Sequence, residues 1–188
     1  MYNLSAFLNL ISNWKTLLGL IFLYLIFAVV LLKNAEERIN TLAGKEIGPI
    51  DLTFGYNPAR TLQMVEDYGA EGRKYYAGVE LTIDLIYPVV YAMLFAVLLT
   101  IIYRKLIRGP VRYIHLVPFI AMFFDFFENL TIVSMLNHYP EQSYTMASLC
   151  EFFKLMKWLV FGVIIFLVVY GMIRLLLKNE KKHAVNSE

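Results

Sequence analysis

The chain has one cysteine, Cys150, and three histidines, His115, His138 and His183. A lone thiol excludes an intrachain disulfide, a paired-thiol redox centre and a thiolate zinc cage. The histidines fall on different segments, far apart in sequence, so no histidine-based metal centre is expected. Charge is scarce as well: Asp, Glu, Lys and Arg make up 17% of the chain, against ~25% in a typical soluble domain. Soluble-enzyme signatures are missing, with no P-loop, dinucleotide fingerprint or Gly-x-Ser-x-Gly elbow. No cofactor is expected. The cations sit at the ends of apolar segments rather than among exposed aromatics, which argues against nucleic acid as a partner.

What the chain has instead is apolar length. Hydrophobic residues fill 59% of 188 positions, where soluble domains hold ~45–50%. They gather in blocks near the ~20 residues that cross a bilayer. The first runs from about Leu17 to Leu32, the second from Leu81 to Tyr103, the third from Tyr113 to Leu136, and the fourth from Phe152 to Ile173. This pattern predicts an all-α, polytopic membrane protein, a single four-transmembrane-helix domain over 1–188 whose main partner is the lipid bilayer. No small-x-small cleavage pattern follows the first block, which leads into Lys33-Asn34-Ala35-Glu36. An uncleaved anchor is expected. Ahead of it, in residues 1–14, Leu4, Phe7, Leu8, Ile11 and Trp14 alternate with Asn3, Ser5, Asn9, Ser12 and Asn13. That stretch reads either as a short helix lying in the membrane interface or as a frayed terminus.

Charge placement sets the topology. Arg104, Lys105, Arg108 and Arg112 lie between the second and third blocks with no acid among them. The tail, 174–188, carries Arg174, Lys178, Lys181 and Lys182 against Glu180 and Glu188. By contrast, the segment 33–80 holds six basic and eight acidic residues. The positive-inside rule then predicts a multi-pass cell-membrane protein with both termini and the Arg104–Arg112 turn cytoplasmic. The 33–80 segment faces outward and is expected to be an ordered loop capping the bundle. Asn57-Pro58 and Gly69 supply start and stop signals for a helix from Ala59 to Tyr68. Ile50-Asp51-Leu52-Thr53-Phe54 alternates like a short strand or extended segment. From Glu71 the pattern runs helically toward the second block, weakened by Gly72 and Gly78.

The candidate site lies where polarity interrupts the grease. Phe123-Phe124-Asp125-Phe126-Phe127-Glu128-Asn129 places two acids and an amide at i, i+3, i+4, on one helical face. A carboxylate near the centre of a spanning helix costs at least ~2.5–3.5 kcal/mol on insertion scales. That face should therefore look into the bundle. At ~1.5 Å per residue, Asp125 falls past the midplane, and Glu128, Asn129, Asp84, Glu151 and Lys154 fall further out. The expectation is a funnel open to the outer face with Asp125 at its floor. Tyr87 and Tyr91 follow Asp84, and Pro88 leaves the Asp84 carbonyl without its helical donor. Pro118 would do the same for Ile114. Lys154 and Lys157 read most simply as snorkelling cations, with Glu151 and Lys154 as an i, i+3 pair. Alternatively, Lys154 reaches Glu128 or Asp84 across the bundle.

Tyr68-Gly69-Ala70-Glu71-Gly72-Arg73, Glu80-Leu81-Thr82-Ile83-Asp84-Leu85-Ile86-Tyr87-Pro88 and Phe124-Asp125-Phe126-Phe127-Glu128-Asn129 together resemble small prokaryotic four-span integral membrane proteins of unknown activity. The resemblance covers about half the chain and implies the four-span fold without any chemistry. The sterol-isomerase and sigma-2-receptor superfamily is similar in having four helices with buried acids, but its motifs do not map residue by residue. Claudin-like proteins share the long first outer loop, yet their tryptophan and paired cysteines have no counterpart there, since Trp14 and Trp158 lie elsewhere.

Three functions fit these residues. An outward-opening acidic pocket built from Asp84, Tyr87, Tyr91, Asp125, Glu128, Asn129, Glu151 and Lys154 would bind or transport a cation or cationic amphiphile, with aromatics adding cation–π contacts. No inverted repeat of the alternating-access kind is visible. Alternatively, Asp125 and Glu128 form the acid/base pair of an intramembrane lipid- or isoprenoid-modifying enzyme. The third option is a structural or accessory subunit whose acids meet another protein's basic residues. Oligomeric state is not legible in the sequence.

Overall fold

A computed structural model describes residues 4–107, 110–111 and 113–185, with side chains described as far as Lys178. Asn3, Arg108, Arg112 and Glu188 lie outside the described residues, as do the side chains of Glu180, Lys181 and Lys182. The described chain is helical, with no strand. Its α-helices are α1 (Leu4–Ile11), α2 (Trp14–Leu25), α3 (Leu32–Ala43), α4 (Pro58–Asp67), α5 (Gly69–Glu80), α6 (Ile83–Leu106), α7 (Val117–Asn137) and α8 (Tyr144–Val185). Four helical rods are long and apolar enough to cross a membrane: Trp14–Ala43, Gly69–Leu106, Ile114–Asn137 and Tyr144–Lys178.

The first rod runs past Lys33, where the sequence suggested a loop. Residues Ile26–Leu31 form a π-helical turn that joins α2 to α3 without a break. The rod starts where the Asn13 side chain accepts from the Lys15 and Thr16 amides at 3.0 Å each. It stops at Gly44, whose φ of +70° suits a left-handed cap. The expected helix after Asn57 is present as α4. Asn57 Oδ1 accepts from the Arg60 amide at 3.1 Å, and Gly69 turns the chain into α5 with φ +66°. The alternating stretch at 50–54 is not a strand. Ile50–Leu52 is a single 3₁₀ turn, because Tyr76 Oη accepts from the Ile50 amide at 2.9 Å and fixes it against α5. Pro118 does not kink the third rod either, since it sits in the first turn of α7, where its missing N–H costs nothing.

Packing divides the rods into an inner and an outer pair. In the most apolar window of each, 56% of residues are buried in the second rod but only 6% in the first. α6 and α7 therefore form the spine; α8 packs along both, and α2 leans on α6. Large apolar side chains such as Phe22, Val29, Phe123, Phe166 and Met172 remain exposed on the outside. Surfaces of this extent are unstable in water.

The cap is an integral part of the core at one end. Ile39, Ile50, Met64, Val65, Tyr68 and Tyr76 from the cap and its flanks bury against Ile132, Met135, Ala147 and Cys150 of α7 and α8. Tyr68 Oη donates to the Gly48 carbonyl at 2.7 Å. Burial, reinforced by the nearby Asp51 carboxylate, pushes the Tyr68 phenol well above the ordinary tyrosine range, so it stays a donor.

The opposite pole gathers the chain ends. The N-terminal stretch is a helix, α1, whose polar side faces the protein. Ser5 Oγ and Asn9 Nδ2 donate to the Val111 carbonyl at 3.0 and 2.8 Å. Arg104 donates to the carbonyls of Asn9 and Ser12, and His115 bridges Ser5 Oγ and Thr100 Oγ1 at 2.9 Å each. Leu4, Phe7, Leu10 and Trp14 point outward. Lys178 Nζ reaches the Lys105 carbonyl at 2.6 Å, which brings α1, the end of α6, Val111 and the far part of α8 to one pole.

Candidate functional site

The i, i+3 spacing on α7 turns Asp125 and Glu128 toward α8, where Lys157 meets both. Its Nζ lies 2.6 Å from Glu128 Oε2 and 3.4 Å from Asp125 Oδ1. All three residues are buried. The Glu128 contact is close but lies off a hydrogen-bond axis, so neither Glu128 oxygen has a directed donor. Asp125 is better served, because Tyr91 Oη of α6 donates to its Oδ2 at 2.8 Å. Asn129, one turn beyond Asp125, takes a different task. Pro88 strips the Asp84 carbonyl of its helical donor, and Asn129 Nδ2 supplies the replacement at 2.9 Å. That bond ties α7 to the first turn of α6.

A second acidic layer lies nearer the cap. The helical path breaks at Leu81–Thr82, between α5 and α6, and carries a carboxylate on each side. Glu80 is 1% exposed, and its Oε2 has no donor. Asp84 is 6% exposed and lies on the far side of the break, four residues on from Glu80. Above them Tyr76 Oη donates to Asp51 Oδ1 at 3.2 Å, which holds the 3₁₀ turn over the acids.

These layers border one cavity of about 620 Å³. Asp51, Glu80, Asp84 and Asp125 face it together with Lys157. Its wall is aromatic. Tyr24 packs 5.6 Å from Tyr87, Tyr87 lies 5.5 Å from Tyr91, and Tyr91 lies 4.8 Å from Phe161, centroid to centroid. Trp158 continues the wall toward the cap and stacks on Phe54 at 5.7 Å. At the rim Lys33 pairs with Glu36 at 3.0 Å. The volume falls within the ~300–1,000 Å³ usual for small-molecule sites.

Of the residues expected to form one funnel, Asp84, Tyr87, Tyr91 and Asp125 line the cavity. Glu128 and Asn129 are buried beside it and do not line it. Glu151 and Lys154 belong elsewhere. Glu151 Oε1 accepts from Thr61 Oγ1 at 2.5 Å and Lys154 Nζ at 2.7 Å, and its Oε2 accepts from the Asn57 amide at 2.9 Å. Lys154 Nζ also donates to Thr53 Oγ1 at 2.6 Å. The i, i+3 pair exists, but Lys154 is buried and does not snorkel, because the cap closes over it. Lys157 does not snorkel either, and it is Lys157, not Lys154, that reaches Glu128. Sequence reasoning missed Glu80, Asp51 and the role of Lys157. Glu80 precedes Asp84 by four residues, a spacing that would have placed both on one helical face.

Among the described residues no group of three or more His, Cys, Asp or Glu side chains is arranged to hold a metal ion. No protein-family model, curated protein or solved structure matches the chain.

Proposed function

We propose that this is a four-span membrane protein, its termini and basic pole cytoplasmic, whose cap-side cavity binds an organic cation, free or as the head of an amphiphile. Supporting the placement are the four apolar rods and the gathering of Arg104, Lys105, Arg174 and Lys178 toward the pole opposite the cap. The observation that carries the functional reading is a charge imbalance. Asp51, Glu80, Asp84 and Asp125 border the cavity, Glu128 lies behind it, and the one buried lysine among the described lining residues, Lys157, is already engaged by Asp125 and Glu128. A buried carboxylate oxygen without a donor, such as Glu80 Oε2, is costly, and a bound cation would offset that cost. Aromatic faces at Tyr87 and Tyr91 suit the same ligand.

The other two readings have weaker support. For acid/base catalysis, both Asp125 oxygens are occupied by Tyr91 and Lys157, and Glu128 does not line the cavity. For an accessory subunit, a lysine of the same chain already meets the acids.

The test is titration of purified protein in neutral detergent with hexylammonium, a soluble probe, followed by Trp158 fluorescence. Each charge-assisted hydrogen bond contributes ~1.5–3 kcal/mol, so Asp84→Asn combined with Glu80→Gln should weaken binding ~10-fold or more. Equal binding in the double variant refutes the proposal.

A further inference from the structure

The cavity is not walled by protein on every side. Its lining includes Tyr24 and Ala28 on the first rod and Gly162 and Ile165 on α8. These two rods both pack on α6 but make no extensive contact with each other. Gly162 and Ile165 are exposed, and a Cβ built at Gly162 would meet nothing within 4 Å. A gap therefore leads sideways from the acids, past Tyr87 and Phe95, to the outer surface of the rods. That surface is apolar, with Val29 and Phe166 exposed nearby. In the membrane placement proposed above, what lies outside the gap is acyl chain rather than water.

The acids narrow the chemistry of the head group. Glu80 borders the cavity, and its Oε2 is buried and lacks a donor. A ligand that satisfies it must bring an N–H or O–H donor, and beside the Asp84 carboxylate a primary ammonium supplies both donor and charge, whereas a quaternary ammonium has no donor. A phosphate would find no uncommitted cation among the described lining residues, since Lys157 is held by Asp125 and Glu128 and Lys33 by Glu36. Resting on the cation reading above, we propose that the ligand is a membrane-borne long-chain primary amine that enters sideways between the first and fourth rods. Its ammonium reaches Glu80 and Asp84, and its tail leaves the cavity between Ala28 and Gly162.

Trp158 lines the cavity, and Trp14 lies at the opposite pole, so Trp14→Phe leaves a single reporter in the wall. This variant is reconstituted in phosphatidylcholine vesicles with chain-brominated octadecylamine, its trimethylammonium analogue or the matching fatty acid. The amine should quench Trp158 at about tenfold lower mole fraction than either analogue, the expected return of one charge-assisted bond. The Cβ position at Gly162 is open, so Gly162→Phe and, as a milder change, Gly162→Leu narrow the gap and should abolish amine quenching. The helical circular dichroism of the parent, retained in both, reports that they are folded. Equal quenching by the three amphiphiles, or amine quenching that survives both Gly162 variants, overturns sideways uptake of a primary amine while the cation reading stands. Failure of hexylammonium to bind the unmodified protein overturns the cation reading itself.

Discussion

Lys157→Met is the sharpest test of how the buried charges hold one another. Lys157 Nζ lies 2.6 Å from a Glu128 oxygen and 3.4 Å from an Asp125 oxygen. At an effective dielectric constant of about 20 these attractions come to ~6 and ~5 kcal/mol. Taking three ions out of water costs several kcal/mol each, roughly ~10 kcal/mol together, so the intact triad contributes little net stability. Removing only the lysine is different, because it strands two carboxylates whose desolvation has already been incurred. The expected loss is ~3–5 kcal/mol, the range for breaking one side of a buried pair. Adding Asp125→Asn and Glu128→Gln to Lys157→Met should restore most of that loss, because no unpaired charge remains. Reversible unfolding in mixed SDS–detergent micelles measures all three proteins. A single variant as stable as the parent, or a triple variant no better than the single, refutes the account.

Glu151→Leu should detach the cap. It removes the acceptor for Asn57 N, Thr61 Oγ1 and Lys154 Nζ and leaves Lys154 buried without a counter-charge, a loss of ~3–5 kcal/mol. Limited proteolysis between Thr53 and Pro58 should speed up, whereas hexylammonium binding by the folded fraction should persist. Asn129→Leu should cost ~1–3 kcal/mol by orphaning the Asp84 carbonyl in a buried setting, measured by the same unfolding titration.

Much of the scaffold could be read from residue pattern because local chemistry decided it. Four apolar blocks became the four rods. Asn57, Pro58 and Gly69 bounded a helix because a side-chain acceptor, a fixed φ and a left-handed turn act within a few residues of themselves. The candidate site was read only in part, and the failures share a cause. Glu80 counts with the outer segment because it precedes the second apolar block. The pattern from Glu71 nonetheless reads helically in spite of Gly72 and Gly78, which weaken helix propensity by ~1 kcal/mol each. Packing of α5 on α3 and α7 outweighs that deficit. Asp51 sits in an alternating stretch that reads as a strand, but its conformation is set by Tyr76, 25 residues away. Lys154 and Lys157 are one helical turn apart, and sequence alone gives no means of telling which meets Glu128. The rotation of α8 against α7 decides that, and it depends on side chains from every neighbouring helix.

The three buried acidic clusters differ in how completely their own chain satisfies them, and the difference supports the proposed site. Glu151 has a lysine, a hydroxyl and an amide on its two oxygens, so its cluster is a fastening between the cap and α8. Asp125 and Glu128 share Lys157, and Asp125 has Tyr91 in addition, which makes this cluster a partly satisfied brace between α6, α7 and α8. Glu80 and Asp84 have no cation of their own, although each ionised acid in apolar surroundings costs on the order of 2.5–3.5 kcal/mol. A requirement for stability alone would be met better by apolar residues at both positions, since replacing buried charge with well-packed hydrophobic side chains is often neutral or stabilising. The first two clusters are explained by the contacts they make within the chain. The third has no cation of its own among the described residues, and it borders the cavity beside Asp125 and Lys157, where the proposed ligand would supply one.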